Sequence, residues 1–168
     1  MKRTGKILLI AAVCGLLLCG CGQEPATVEE PAIDYNDLVT PPVDLTITDC
    51  ISEQQLTTVV GYSMQLLGVY DEGTQALYQS PDGNWMVTIN LKNQTRAEFD
   101  TSIANVGDSV TLYEGLGEIA YRSAVTGEML VYSDGYSLGV VVTSTHTTDT
   151  EIYNRQIAEL ILTALQPQ

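Results

Sequence analysis

Gly135-Tyr136-Ser137-Leu138-Gly139 carries the Gly-x-Ser-x-Gly spacing that presents a nucleophilic serine Oγ when a strand turns sharply into a helix. Here the pentapeptide opens at an Asp-Gly pair and runs into Val140-Val141-Val142-Thr143-Ser144. That β-branched run predicts a strand, not the required helix. The one histidine, His146, follows nine residues later, and an extended strand holds such positions far apart. The serine pattern therefore reads as a coincidence of spacing. Gly115-Leu116-Gly117-Glu118-Ile119-Ala120 matches a loose Gly-x-Gly-x-x-Ala phosphate-binding fingerprint. It lacks a βαβ frame and leads into a strand pattern, so its glycines read as turn residues. His146 alone cannot supply the three or four ligands of a zinc site. The acids show no calcium-loop spacing. No cofactor and no metal are expected.

The cysteines carry more information. Lys2, Arg3 and Lys6 precede an apolar run from Ile7 to Leu18. As a helix this run would reach about 18 Å, short of a hydrocarbon core of roughly 30 Å. Charge, length and the small residues that follow predict a secretory signal peptide over 1–20. Leu18-Cys19-Gly20-Cys21 resembles the lipobox of bacterial lipoproteins. The resemblance implies cleavage between Gly20 and Cys21, diacylglyceryl and fatty-acyl (palmitate-type) modification of Cys21, and a lipid anchor on the extracytoplasmic face of the cell membrane. The rival frame ending at Cys19 places bulky Leu18 beside the cut, where the pattern takes a small residue. Two acyl chains hold a protein on a bilayer durably, at about 0.8 kcal/mol per buried CH₂.

Cleavage would remove Lys2, Arg3 and Lys6 and none of the 21 acids, leaving Lys92, Arg96, Arg122 and Arg155 as the only basic residues. So acidic a chain cannot displace the counterions of phosphate backbones, and nucleic acid is excluded as a partner. Acidity also opposes adsorption to anionic headgroups, so attachment falls to the lipid on Cys21. Cys50 would be the one remaining unmodified thiol. Asp49 beside it argues for a small buried hydrophobe, not a reactive thiolate.

Residues 21–44 contain Pro25, Pro31, Pro41 and Pro42 with six acids and no Lys or Arg. They predict a disordered acidic tether with a reach of roughly 25–30 Å. Residues 45–168 predict one domain, in the usual size range for a single core. Three helix starts carry a capping box, Ser52 with Gln55, Thr95 with Glu98 and Thr148 with Glu151. Their apolar faces are Leu56, Val59 and Val60; then Phe99, Ile103 and Val106; then Ile152, Ile157, Leu160, Ile161, Ala164 and Leu165. Trp85, Val87, Ile89 and Leu91 alternate with polar residues, as Leu138, Val140 and Val142 do in a second segment, which predicts strands. Shorter strands are expected at 66–71, 74–80, 118–123 and 128–133. Asp82-Gly83 and Asp134-Gly135 mark hairpin turns. The expected fold is α+β, a single antiparallel sheet of about six strands with two or three helices on it. Aligning the two hairpins suggests two related α-β-β-β units.

The stretches GLGEIAYRS and GEMLVYSDGYSLGVVV, followed by a C-terminal helix, resemble small extracytoplasmic lipoprotein and sensor-like domains of Gram-positive bacteria, some of PsbP-like fold. The resemblance implies a non-catalytic binding, sensing or interaction module of the cell envelope, whose partner is an envelope protein or small ligand. The alternatives are an envelope hydrolase using Ser137, or a structural accessory subunit of a membrane complex. Nine tyrosines against one phenylalanine is a marked bias. Tyr113, Tyr121, Tyr132 and Tyr136 are candidates for a contact face, since tyrosine joins an apolar body to a polar tip.

Overall fold

The computed structural model describes residues 45–166. The expected signal peptide, its cleavage site at Gly20, the lipidated Cys21 and the tether to residue 44 lie outside the described residues. Among the described residues, no helix is long and apolar enough to cross a membrane.

The first element is a helical turn, α1 (Ile47–Cys50), that the sequence reading does not contain. Thr46 N donates to Asp49 Oδ2 at 3.0 Å. The Thr46 hydroxyl and then this N–H hold the Asp49 carboxyl below its usual range. The next helix, α2 (Glu53–Val60), begins as expected. Ser52 Oγ accepts from Gln55 N while Ser52 N donates to Gln55 Oε1, and Gly61 stops the helix at φ 79°. Only a residue without Cβ adopts that geometry freely.

Seven strands then build one antiparallel sheet: β1 (Gln65–Tyr70), β2 (Gln75–Gln79), β3 (Trp85–Asn93), β4 (Val110–Tyr113), β5 (Ile119–Ser123), β6 (Met129–Ser133) and β7 (Tyr136–Ser144). Their order is β1-β2-β3-β7-β6-β5-β4. The fold class is α+β as expected, with seven strands in place of about six. The additional one is β4, an edge strand that pairs only with β5.

Period-two alternation decides what each face carries. Trp85, Val87, Ile89 and Leu91 on β3 and Leu138, Val140 and Val142 on β7 point into the main core. There they meet α1, α2 and the last helix, α4 (Glu151–Leu165), through Ile47, Leu56, Ile157 and Ile161. Burying each of these side chains contributes about 1.5–3 kcal/mol. The expected Thr148 cap is not formed, because the first helical residue is Glu151 and Thr150 is the N-cap. This phase turns Ile152 and Ala164 outward and places Asn154 inside.

Asn154 occupies a core position for a reason. β6 begins at Met129 opposite Val140, so Val142 N lies beyond the last β6–β7 pair. Asn154 Oδ1 accepts from that N–H at 2.7 Å, and Asn154 Nδ2 donates to Gly127 O at 2.9 Å. One amide thus replaces the strand that has ended.

The opposite face carries α3 (Arg96–Val106), capped by Thr95 and Glu98 as expected. Phe99 sits 5.6 Å from the Tyr132 ring and 6.3 Å from that of Tyr121. Both tyrosines alternate with the core residues Val131 and Ala120 along their strands, which places α3 across the sheet from α4. The two α-β-β-β units are therefore not equivalent in detail. Their hairpins meet at the centre as β3 beside β7, but the helices that follow them take opposite faces, and the second unit has four strands. Their turns differ too. Asp134 and Gly135 both have positive φ in a two-residue turn, whereas Asp82-Gly83 belongs to a longer loop closed by Ser80 and Trp85.

Candidate functional site

The face opposite the core displays what the alternation leaves over. On β3 these are Asn90 and Lys92, on β7 Ser137 and Gly139, and on β6 Leu130. The register sets Lys92 directly across from Ser137 and Asn90 across from Gly139. Helix α3 covers this surface unevenly. Phe99, in its first turns, is 3% exposed, Ile103 is half-buried, and Val106 at its end is 45% exposed. Burial falls along the helix, and a wedge-shaped groove of about 350 Å³ lies between α3 and the strands. That volume is within the range of small-molecule sites, roughly 300–1,000 Å³. A shallower depression of about 440 Å³ beside the start of α3 shares Lys92, Gln94 and Ser102 with it.

The groove has an apolar wall of Phe99, Ile103, Val106 and Leu130, and polar groups from Asn90, Lys92, Ser137 and Glu128. Glu128 is the unusual member. Burial pushes its carboxyl above the usual range. No side-chain hydrogen bond or ion pair satisfies that carboxyl among the described residues. Its seat exists because residue 139 is glycine: a methyl group there would stand 2.5 Å from Glu128 Oε1. A glycine inside a strand often marks such a close approach. Asn90 Oδ1 already accepts from Gln75 Nε2 at 2.8 Å.

The three arginines among the described residues are all engaged. Arg96 pairs with Asp100 at 2.9 Å and Arg155 with Glu159 at 2.8 Å. Arg122 Nε lies 3.3 Å from Glu151 Oε2, near enough for charge attraction but outside hydrogen-bond geometry. Lys92 has no ion-pair partner among the described residues. Among the described residues, the one Lys or Arg without an ion-pair partner and the one carboxyl raised by burial thus line the same groove.

A second cluster lies at the Trp85 end of β3. The Tyr62 ring stacks 5.3 Å from Trp85 and 5.9 Å from His146, and Tyr153 meets Trp85 edge-on at 5.2 Å. Trp85 Nε1 is buried without a partner among the described residues. His146 is exposed and stacked on Tyr62.

The structure separates most of the residues that the sequence singled out. Ser137 lies within β7 and His146 beyond its far end, roughly 30 Å away along an extended chain, so no imidazole serves the serine. The four tyrosines do not share a face. Tyr113 packs against the main core and Tyr136 is buried within it, whereas Tyr121 and Tyr132 lie across the sheet beside Phe99. Arg96 also sits over the Tyr132 ring, 5.8 Å from its centroid. Gly115 and Gly117 take positive φ in a turn before β5, as read from the sequence. Cys50 is buried, and burial first and Asp49 second push its thiol up, away from reactivity. Glu128 and the groove were not singled out; their trace in the sequence is Gly139, a lone glycine inside a strand. No cluster of metal-binding side chains occurs among the described residues. Compared with known protein families, curated proteins and solved structures, the chain matches none of them.

Proposed function

We propose that the chain is a lipid-anchored binding module of the bacterial cell envelope, held on the extracytoplasmic membrane face through Cys21. Its small-molecule ligand lies between α3 and the open face of β3, β7 and β6. The observation that supports this reading is the wedge left where Phe99 is the one buried residue of α3, with half-buried Ile103 and Leu130 beside Lys92 and Glu128, which lack side-chain partners among the described residues. A few converging polar groups on an apolar wall are the usual makeup of a ligand pocket. The lipobox resemblance and the acidic, proline-rich segment 21–44 support the anchor and its tether.

Native mass spectrometry of the intact protein, extracted from membranes in mild detergent, tests the reading. A bound small molecule is expected on the wild type and should be lost from Ile103→Trp, which fills the wedge. Wild-type protein with no adduct, or an adduct that Ile103→Trp retains, would contradict the groove as the site.

A further inference from the structure

Two opposite charges stand in one groove, and neither has a side-chain partner among the described residues. Lys92 sits on β3 opposite Ser137. The Glu128 carboxyl lies over Gly139, which is opposite Asn90, two residues from Lys92 on the same strand. One strand spacing and two residues of rise separate the two positions by roughly 8 Å. The groups do not approach within ion-pair distance of each other, and each arginine of the domain is already engaged by an acid.

We propose that the groove binds a small zwitterion with an apolar arm, an apolar α-amino acid being its simplest form. The ligand ammonium is held by Glu128 over Gly139, and the ligand carboxylate by Lys92. This assignment rests on the groove being the ligand site and names what enters it. The spacing fits. The ammonium and carboxylate of an α-amino acid are about 3 Å apart, and a hydrogen bond of about 2.8 Å at each end spans the separation. The Lys92 stem is flexible enough to close the remainder. The apolar arm then covers Ile103, Val106 and Leu130, which the free domain leaves partly exposed. A carboxylate in a partly desolvated seat gains more from an arriving cation than one in water does, because the local dielectric is lower. The acidic balance of the chain also raises the local concentration of cations around it. Both ends are needed for selectivity. A simple amine leaves Lys92 unpaired, and a simple carboxylate meets Glu128 as a like charge.

Isothermal titration calorimetry on the intact protein in detergent tests the assignment with three apolar amino acids, alanine, leucine and phenylalanine. Leucinamide, which lacks the carboxylate, and 4-methylpentanoate, which lacks the ammonium, are the controls. At least one amino acid should bind, with alanine the weakest. Leucinamide and 4-methylpentanoate should each bind at least tenfold more weakly than leucine. Glu128→Gln and Lys92→Met should each weaken amino-acid binding at least tenfold while the far-ultraviolet circular dichroism is unchanged. Gly139→Ala supplies an independent variant. It leaves Glu128 in the chain but evicts its carboxyl, whose flexible end can swing aside without unfolding the sheet, and it should weaken binding to a similar degree. Equal binding of leucine and 4-methylpentanoate, or unchanged affinity in Glu128→Gln, would overturn the zwitterion. If no amino acid binds while the native adduct persists and is lost in Ile103→Trp, the ligand class is wrong and the groove stands. If both experiments are blank, the two readings fail together.

Discussion

Single residues fix several details of this fold, and four of them make sharp predictions. Asn154 bridges Val142 N and Gly127 O inside the core, so Asn154→Ala leaves a buried N–H without an acceptor. That change should cost about 2–3 kcal/mol, measured by urea denaturation. Gly117 has φ 59°, and a methyl group there would meet Val131 Cγ1 at 2.6 Å and Tyr132 O at 2.8 Å. Backbone strain and a clash with buried atoms add, and Gly117→Ala should cost about 2–4 kcal/mol. Two carboxyls should give opposite pH dependences. Hydrogen bonds from Ser80 and then Asn84 lower Asp82 to about 2 from 3.8. The unfolded chain therefore binds more protons between those values, and stability is lost as pH falls through that window. Asp82→Ala should flatten this loss. Burial raises Glu128 above 4.5, so the folded chain binds more protons just above that value. Stability then falls as pH rises through the window between the usual and the raised value, and Glu128→Gln should abolish the fall. Thermal melts across about pH 2–7 separate the two effects by their sign.

Elements were legible from the sequence where a local signal coincided with burial. The Ser52 and Thr95 caps and the alternation of β3 and β7 combine a backbone requirement with a core-facing pattern. Three features lacked that combination. β4 has Leu112 pointing to solvent and only its end residues half-buried, so Val110–Tyr113 carries no alternation to read. The single turn α1 is too short to show a helical stripe. In α4 the apolar residues Ile152 and Ala164 suggested one phase, and the buried Asn154 set another. Its role is visible only when Val142 and Gly127 are brought beside it. The groove was illegible for a related reason, since it arises from how little of α3 touches the sheet. Phe99 pins that helix, and Phe99→Ala should free α3 more than it loosens the main core. Amide exchange in α3 should then quicken at least tenfold while that of β3 and β7 changes far less. Equal acceleration in both would show α3 to be part of the main cooperative unit.

For the whole molecule, the central pair of β3 and β7 joins segments about fifty residues apart, and the remaining strands extend outward from it as hairpins. Such non-local pairing gives slow folding, in the millisecond-to-second range typical of sheet-dominated domains. The excess of acids, a net charge of −14 for the full sequence, repels itself in the compact state. Melting temperature should therefore rise as salt is added up to about 0.15 M, where charges more than about 8 Å apart are screened. The proposed attachment through Cys21 belongs to this scale as well. Cys21→Ala should abolish labelling by fatty acid in cells and release the chain from membranes; persistent labelling would contradict the anchor.

Amide chemical-shift mapping of the intact protein, with a small-molecule extract of the cell envelope as titrant, tests the groove most directly. Shifts are expected to concentrate at Asn90, Lys92, Ser137, Gly139 and Ile103 and to be abolished in Ile103→Trp. Shifts centred instead on Tyr62, Trp85 and His146, or none anywhere, would contradict it.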